Sequence, residues 1–128
     1  MGRETNFLNP DTTRLLLDLV HYEKKGFMLD TGHFLHTNHD LVNQTEAVEY
    51  LHRMLDAHEE MIPYIRSIHL QQSLTGEYVK KWFSEPHTLS NDPDTRMCEV
   101  FTHIFAIDKH QPFTDHGVKG LVERIHPD

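Results

Sequence analysis

Residues 26–33, Gly-Phe-Met-Leu-Asp-Thr-Gly-His, constrain this chain more than any other stretch. Phe27, Met28 and Leu29 form an apolar run that stops abruptly at Asp30. A run this short, with no polar alternation, suits a strand buried on both faces, as in a parallel sheet. Thr31 and Gly32 then turn the chain, and His33 follows three positions after the aspartate. Open and barrel-shaped α/β folds place their chemistry beyond the carboxyl ends of parallel strands. Aspartate and histidine together are ligands for Zn, Mn or Fe. The plainer alternative is an Asp30 that caps the next segment beside a surface His33.

The flanking segments alternate in character. Asn9-Pro10 starts a helix, with Asn as cap and Pro in the first turn, and Leu15, Leu16, Leu19 and Val20 share one face. Lys24 and Lys25 suit its last turn, and Gly26 ends it. Residues 34–42 read as a polar loop. Asn43 or Thr45 caps a second helix whose apolar positions run from Val48 through Leu51, Met54 and Leu55 to Met61 and Ile62, before Pro63. Ile65–Leu70 reads as a second strand, with His69 near its end. Thr75–Phe83 forms a short helix, and residues 84–93 a loop. A long helix spans about Asp94–Ala106 with Met97, Val100, Phe101, Ile104 and Phe105 inward. Ile107–Phe113 is too polar and Pro-broken for a central strand. A last helix, capped by Thr114 or Asp115, carries Val118, Leu121, Val122 and Ile125. Strands separated by helices imply βα units and a parallel sheet. Only two strands are clear, and a parallel pair needs cover on both faces, so the chain reads as part of something larger.

With 128 residues, a single domain over residues 1–128 is expected. The formal net charge of −8 disfavours binding to a nucleic-acid backbone. Cys98 is the only cysteine, which excludes an internal disulfide and suits a reducing, cytoplasmic setting; Met97 and Val100 beside it suggest a packed thiol. No apolar run approaches the length of a membrane span, and no signal peptide is evident, so a soluble protein is expected. Of twelve histidines, those at strand ends and in short strand-to-helix loops are the candidates for chemistry.

Glu4-Thr5-Asn6, Leu29-Asp30-Thr31-Gly32-His33, Ile68-His69-Leu70 and Asp108-Lys109-His110-Gln111-Pro112 occur in that order. Together they resemble the second half of the xylose isomerase-like barrels, a superfamily of sugar and sugar phosphate isomerases and epimerases that also holds endonuclease IV-type enzymes. The resemblance covers nearly the whole chain, and Asp-Thr-Gly-His is its most specific part. It implies an α/β fold: a partial (β/α)₈ TIM barrel, parallel strands with outer helices. It also implies a truncated piece that self-associates or needs a complementary half-barrel. Glu4, Asp30 and His69 would be metal ligands, for Mn, Co, Mg or Zn, with a fourth, a glutamate on strand eight, missing. Glu4 would double as acid/base. His33 matches a residue that touches substrate in the isomerases and binds zinc in the endonucleases. Asp108 and His110 match a further zinc pair in the endonucleases.

Two chemistries follow from the resemblance. A divalent ion could polarise a ketose carbonyl while a carboxylate moves the proton through an enediolate, giving a sugar (phosphate) isomerase or epimerase. Alternatively, several zinc ions could activate water on a phosphodiester. The acidic charge favours the first, and the Asp108-x-His110 pair favours the second less strongly, so a metal-dependent sugar (phosphate) isomerase or epimerase is the expected function. A non-catalytic remnant is the third alternative.

Overall fold

The computed structural model describes residues 9–126. In chain order they form α1 (Pro10–Leu19), β1 (Phe27–Asp30), α2 (Thr31–Leu35), α3 (Gln44–Ala57), a 3₁₀ segment (Glu59–Tyr64), β2 (Ile65–His69), α4 (Gly76–Ser84), α5 (Pro93–Ile107) and α6 (Val118–Ile125). β1 and β2 pair in parallel and make a two-stranded sheet. The expected partial (β/α)₈ barrel is therefore not what the described residues build: they form a small α/β domain with two parallel strands and a predominance of helix. Asp108–Gln111 contributes only an isolated antiparallel bridge between Gln111 and Gln72, because Pro112 and the charged run cannot extend a ladder. Glu4, expected as metal ligand and acid/base, lies outside the described residues.

The local logic is legible. The Asn9 side chain accepts the Asp11 N–H at 2.9 Å and starts α1, and the Asn43 side chain accepts the Glu46 N–H at 2.9 Å and starts α3. Asp30 ends β1 and at once caps α2 by accepting the His33 N–H at 3.2 Å. The residues after Asp30, read from sequence as a turn leading into a loop, thus make one short helix. α3 supplies the centre of the core. Leu51, Leu55 and Ala47 are buried there, met by Leu29 of β1, Ile65 of β2 and Leu121 of α6. The α3 pattern stops at Ala57, and Met61 is buried from the 3₁₀ segment instead.

Two helices depart from expectation. α1 buries Thr13 and Leu17, leaving Leu15, Leu16, Leu19 and Val20 exposed. α5 has no buried residue, so Met97, Phe101, Ile104 and Phe105 face outward, and Cys98 is exposed. The apolar faces expected from the helical period are thus not buried among the described residues. Among the described residues one face of the sheet is bare in the same way: Leu29 is buried toward the helices, while Met28 on the opposite face is 58% exposed. Among the described residues, no helix is long and apolar enough to cross a membrane.

Candidate functional site

Parallel pairing sets Asp30 and His69 in register at the carboxyl ends of β1 and β2. Their side chains meet there, with His69 Nδ1 lying 2.8 Å from Asp30 Oδ2. α2 lifts His33 over the same end, its Nδ1 3.9 Å from Asp30 Oδ2. Asp108 and His110 arrive from the segment after α5. His110 Nε2 lies 2.7 Å from Asp108 Oδ2, and His33 Nε2 lies 3.7 Å from that same oxygen. The order is imidazole, carboxylate, imidazole, carboxylate, imidazole. The rings of His69 and His110 close the circuit edge to face, with centroids 5.1 Å apart.

Five of the six sequence-derived candidates are thus gathered at one place, and the sixth, Glu4, lies outside the described residues. Asp30 caps α2 through Oδ1 and faces His69 through Oδ2. The Asp108 carboxylate serves the cluster. α6 starts at Gly117 without a side-chain cap from that residue, and Asp115 accepts the Gly117 N–H at 2.8 Å.

Sequence reasoning missed Gln71, Ser73 and His36. Gln71 is buried beneath the cluster and donates from Nε2 to Asp30 Oδ1 at 3.0 Å and to Asp108 Oδ1 at 3.3 Å. Ser73 Oγ lies 3.0 Å from Gln71 Oε1 and 3.2 Å from Asp108 Oδ1, and accepts the His110 N–H at 3.1 Å. The only available signal was position, two and four residues past His69. Reciprocal hydrogen bonds between Gln72 and Gln111, at 2.8 and 2.9 Å, tie the Asp108 segment to the β2 exit. His110 itself adopts a φ of 49°, in the left-handed region that non-glycine residues seldom occupy. Such backbone costs on the order of 1–3 kcal/mol and concentrates at functional sites.

The Asp carboxylates are the sheltered members, at 11% and 23% side-chain exposure, and the imidazoles are about half exposed. Burial raises the Asp108 carboxyl, but the hydrogen bond and charge of His110, the charge of His36 and the Ser73 hydroxyl together hold it below the ordinary carboxylate value. His36, whose Nε2 lies 3.2 Å from the Ile107 carbonyl, is lowered chiefly by burial, with Asp108 opposing. Both shifts act in the same direction on stability. Folded His36 holds its proton less tightly than the unfolded chain, so stability falls as pH drops below its ordinary 6.5. The depressed Asp108 contributes stability that is present above its ordinary 3.8 and lost as pH falls through its folded value. The urea midpoint is therefore expected to fall between pH 7 and pH 5. His36→Gln should fall less over that interval, and an equal fall would remove His36 as the cause.

The donor set suits a divalent ion, because carboxylate oxygens and imidazole nitrogens are what Zn, Mn and Co accept. Among the described residues, no three His, Cys, Asp or Glu side chains already surround one ion-sized centre. The imidazole nitrogens instead face the carboxylates directly, so ligation would require ring protons to leave and the rings to turn. No family model, curated protein or solved structure matches this chain.

Proposed function

We propose that this chain is a metal-dependent phosphoesterase acting on a small phosphate ester, with Asp30, His33, His69, Asp108 and His110 as its ligand set. One observation carries the reading: Asp108 and His110, distant in sequence from β1 and β2, reach the same cluster as Asp30, His33 and His69. Three imidazoles grouped about two carboxylates suit a pair of divalent ions, such as Zn or Mn. Bound ions would supply Lewis-acid polarisation of a phosphoryl oxygen and activation of water. The chain's own contribution is positional. The sheltered aspartates orient the imidazoles, and the half-exposed His33, His69 and His110 present their rings where a small substrate can reach them. The charge of −8 repels a nucleic-acid backbone with its many phosphates more strongly than a single phosphate group, so a compact phosphate ester is favoured over a polynucleotide.

A second reading, a sugar or sugar phosphate isomerase or epimerase, is favoured by the adjacency of Asp30 and His69 alone. The two part at Asp108 and His110. Purified protein would be assayed with Zn²⁺, Mn²⁺, Co²⁺ or Mg²⁺ against p-nitrophenyl phosphate and its diester, and against a ketose panel. The expected result is phosphate-ester hydrolysis that Asp30→Ala and Asp108→Ala both reduce to the metal-free level. Ketose turnover that needs Asp30 and survives Asp108→Ala would overturn the phosphoesterase reading in favour of the isomerase.

A further inference from the structure

We infer that Gln71 is the positioning residue of this site: its carboxamide clamps Asp30 and Asp108 by their inner oxygens, and Thr31 and Gly32 exist to seat it. The inference rests on the proposed ligand set and adds a residue outside it.

The oxygens of each carboxylate are sorted. Asp30 Oδ1 and Asp108 Oδ1 both receive Gln71 Nε2, while Asp30 Oδ2 and Asp108 Oδ2 face His69, His33 and His110. Carboxylates only accept, so the amide must present its nitrogen to them, and its two protons match the two oxygens. Its oxygen is left to the Ser73 hydroxyl. A buried group that donates to both carboxylates sets their separation and leaves one outward oxygen on each for a ligand. Partners lying behind metal ligands orient them in this way.

Gln71 is held by Thr31 and Gly32, at the turn out of β1. Thr31 Oγ1 is buried and lies 2.6 Å from the Gln71 carbonyl and 2.9 Å from its backbone nitrogen. Gly32 leaves room for the amide, because a Cβ there would stand 1.9 Å from Gln71 Nε2. All three atoms nearest that position belong to the Gln71 side chain, so a substitution would push the amide aside with no backbone in its path. Within Asp30-Thr31-Gly32-His33, the outer residues belong to the ligand set and the inner two build the seat of the clamp.

The test has two arms. In the metal-free arm, the Gln71 side-chain NH₂ signals are followed by ¹⁵N-resolved NMR. Asp30→Ala is expected to shift one proton and Asp108→Ala the other. A Gln71 NH₂ that ignores Asp108→Ala overturns the clamp. In the second arm, Zn²⁺ and Mn²⁺ affinities are measured by calorimetry, with far-UV circular dichroism as the fold control. Gln71→Leu should weaken binding by about 10- to 100-fold. Gly32→Ala should weaken it too, and the double variant should fall short of the sum, because both act through one amide. Wild-type protein that binds ions equally well as Gln71→Leu overturns the clamp. Wild-type protein that binds neither ion overturns the phosphoesterase reading, and the NMR arm then decides the clamp alone.

Discussion

Replacing Leu51 by alanine should destabilise the domain by about 2–5 kcal/mol, the range for truncating a fully buried leucine. Leu51 is 1% exposed in the middle of α3 and belongs to the cluster that joins both strands to α6. Small domains hold about 5–15 kcal/mol in total, so this one change would consume a large share. Leu16→Ala is the informative comparison. The helical period placed Leu16 on an apolar face just as it placed Leu51, but Leu16 is 48% exposed in α1. Its replacement should stay within about 0.5 kcal/mol, as surface changes do. Urea unfolding of both variants would check the pair. A Leu16→Ala loss comparable to that of Leu51→Ala would mean that α1 is covered in solution.

The second large effect is on assembly. α5 presents Met97, Phe101, Ile104 and Phe105 to solvent, and Met28 lies on a face of the parallel pair that no other described element covers. Parallel strands are normally covered on both faces, and a contiguous apolar stripe marks a contact surface. A second copy of this chain is the expected cover, so sedimentation should show concentration-dependent association. With a net charge of −8, like-charge repulsion opposes that contact, and added salt should strengthen it. Introducing charge in the stripe, as Phe101→Glu with Phe105→Lys, should shift the protein to monomer without loss of helix. A sharp monomer at all concentrations and salt levels would contradict the prediction.

What could be read from sequence followed the strength of local physics. The Phe27–Leu29 run and its arrest at Asp30 correspond to β1, and the Ile65–Leu70 run to β2, which ends one residue sooner at His69. Once two strands run parallel, their carboxyl ends coincide, so the meeting of Asp30 and His69 followed from topology. Asp108 and His110 carried no strand signal, and only the resemblance marked them. The same resemblance suggested a half-barrel, which two strands do not make. Gln71 was missed because an amide past a strand end looks like any polar exit residue, and its role depends on a partner 37 residues away in Asp108. For α5, periodicity gives the apolar side and says nothing of what, if anything, lies against it.

The reciprocal bonds between Gln72 and Gln111 have a consequence for how the molecule breathes. Asp30 and His69 are joined by the sheet itself, whereas Asp108 and His110 are held to that sheet by one two-bond backbone bridge and by side-chain contacts with Gln71, Ser73 and His33. Sub-global openings occur in contiguous units with their own free energies. The 108–111 segment is then the unit that undocks first, and the exchange rates of the Gln72 and Gln111 amide protons are its clock. Their protection should be lower than that of α3 and equal to each other, because one undocking event frees both.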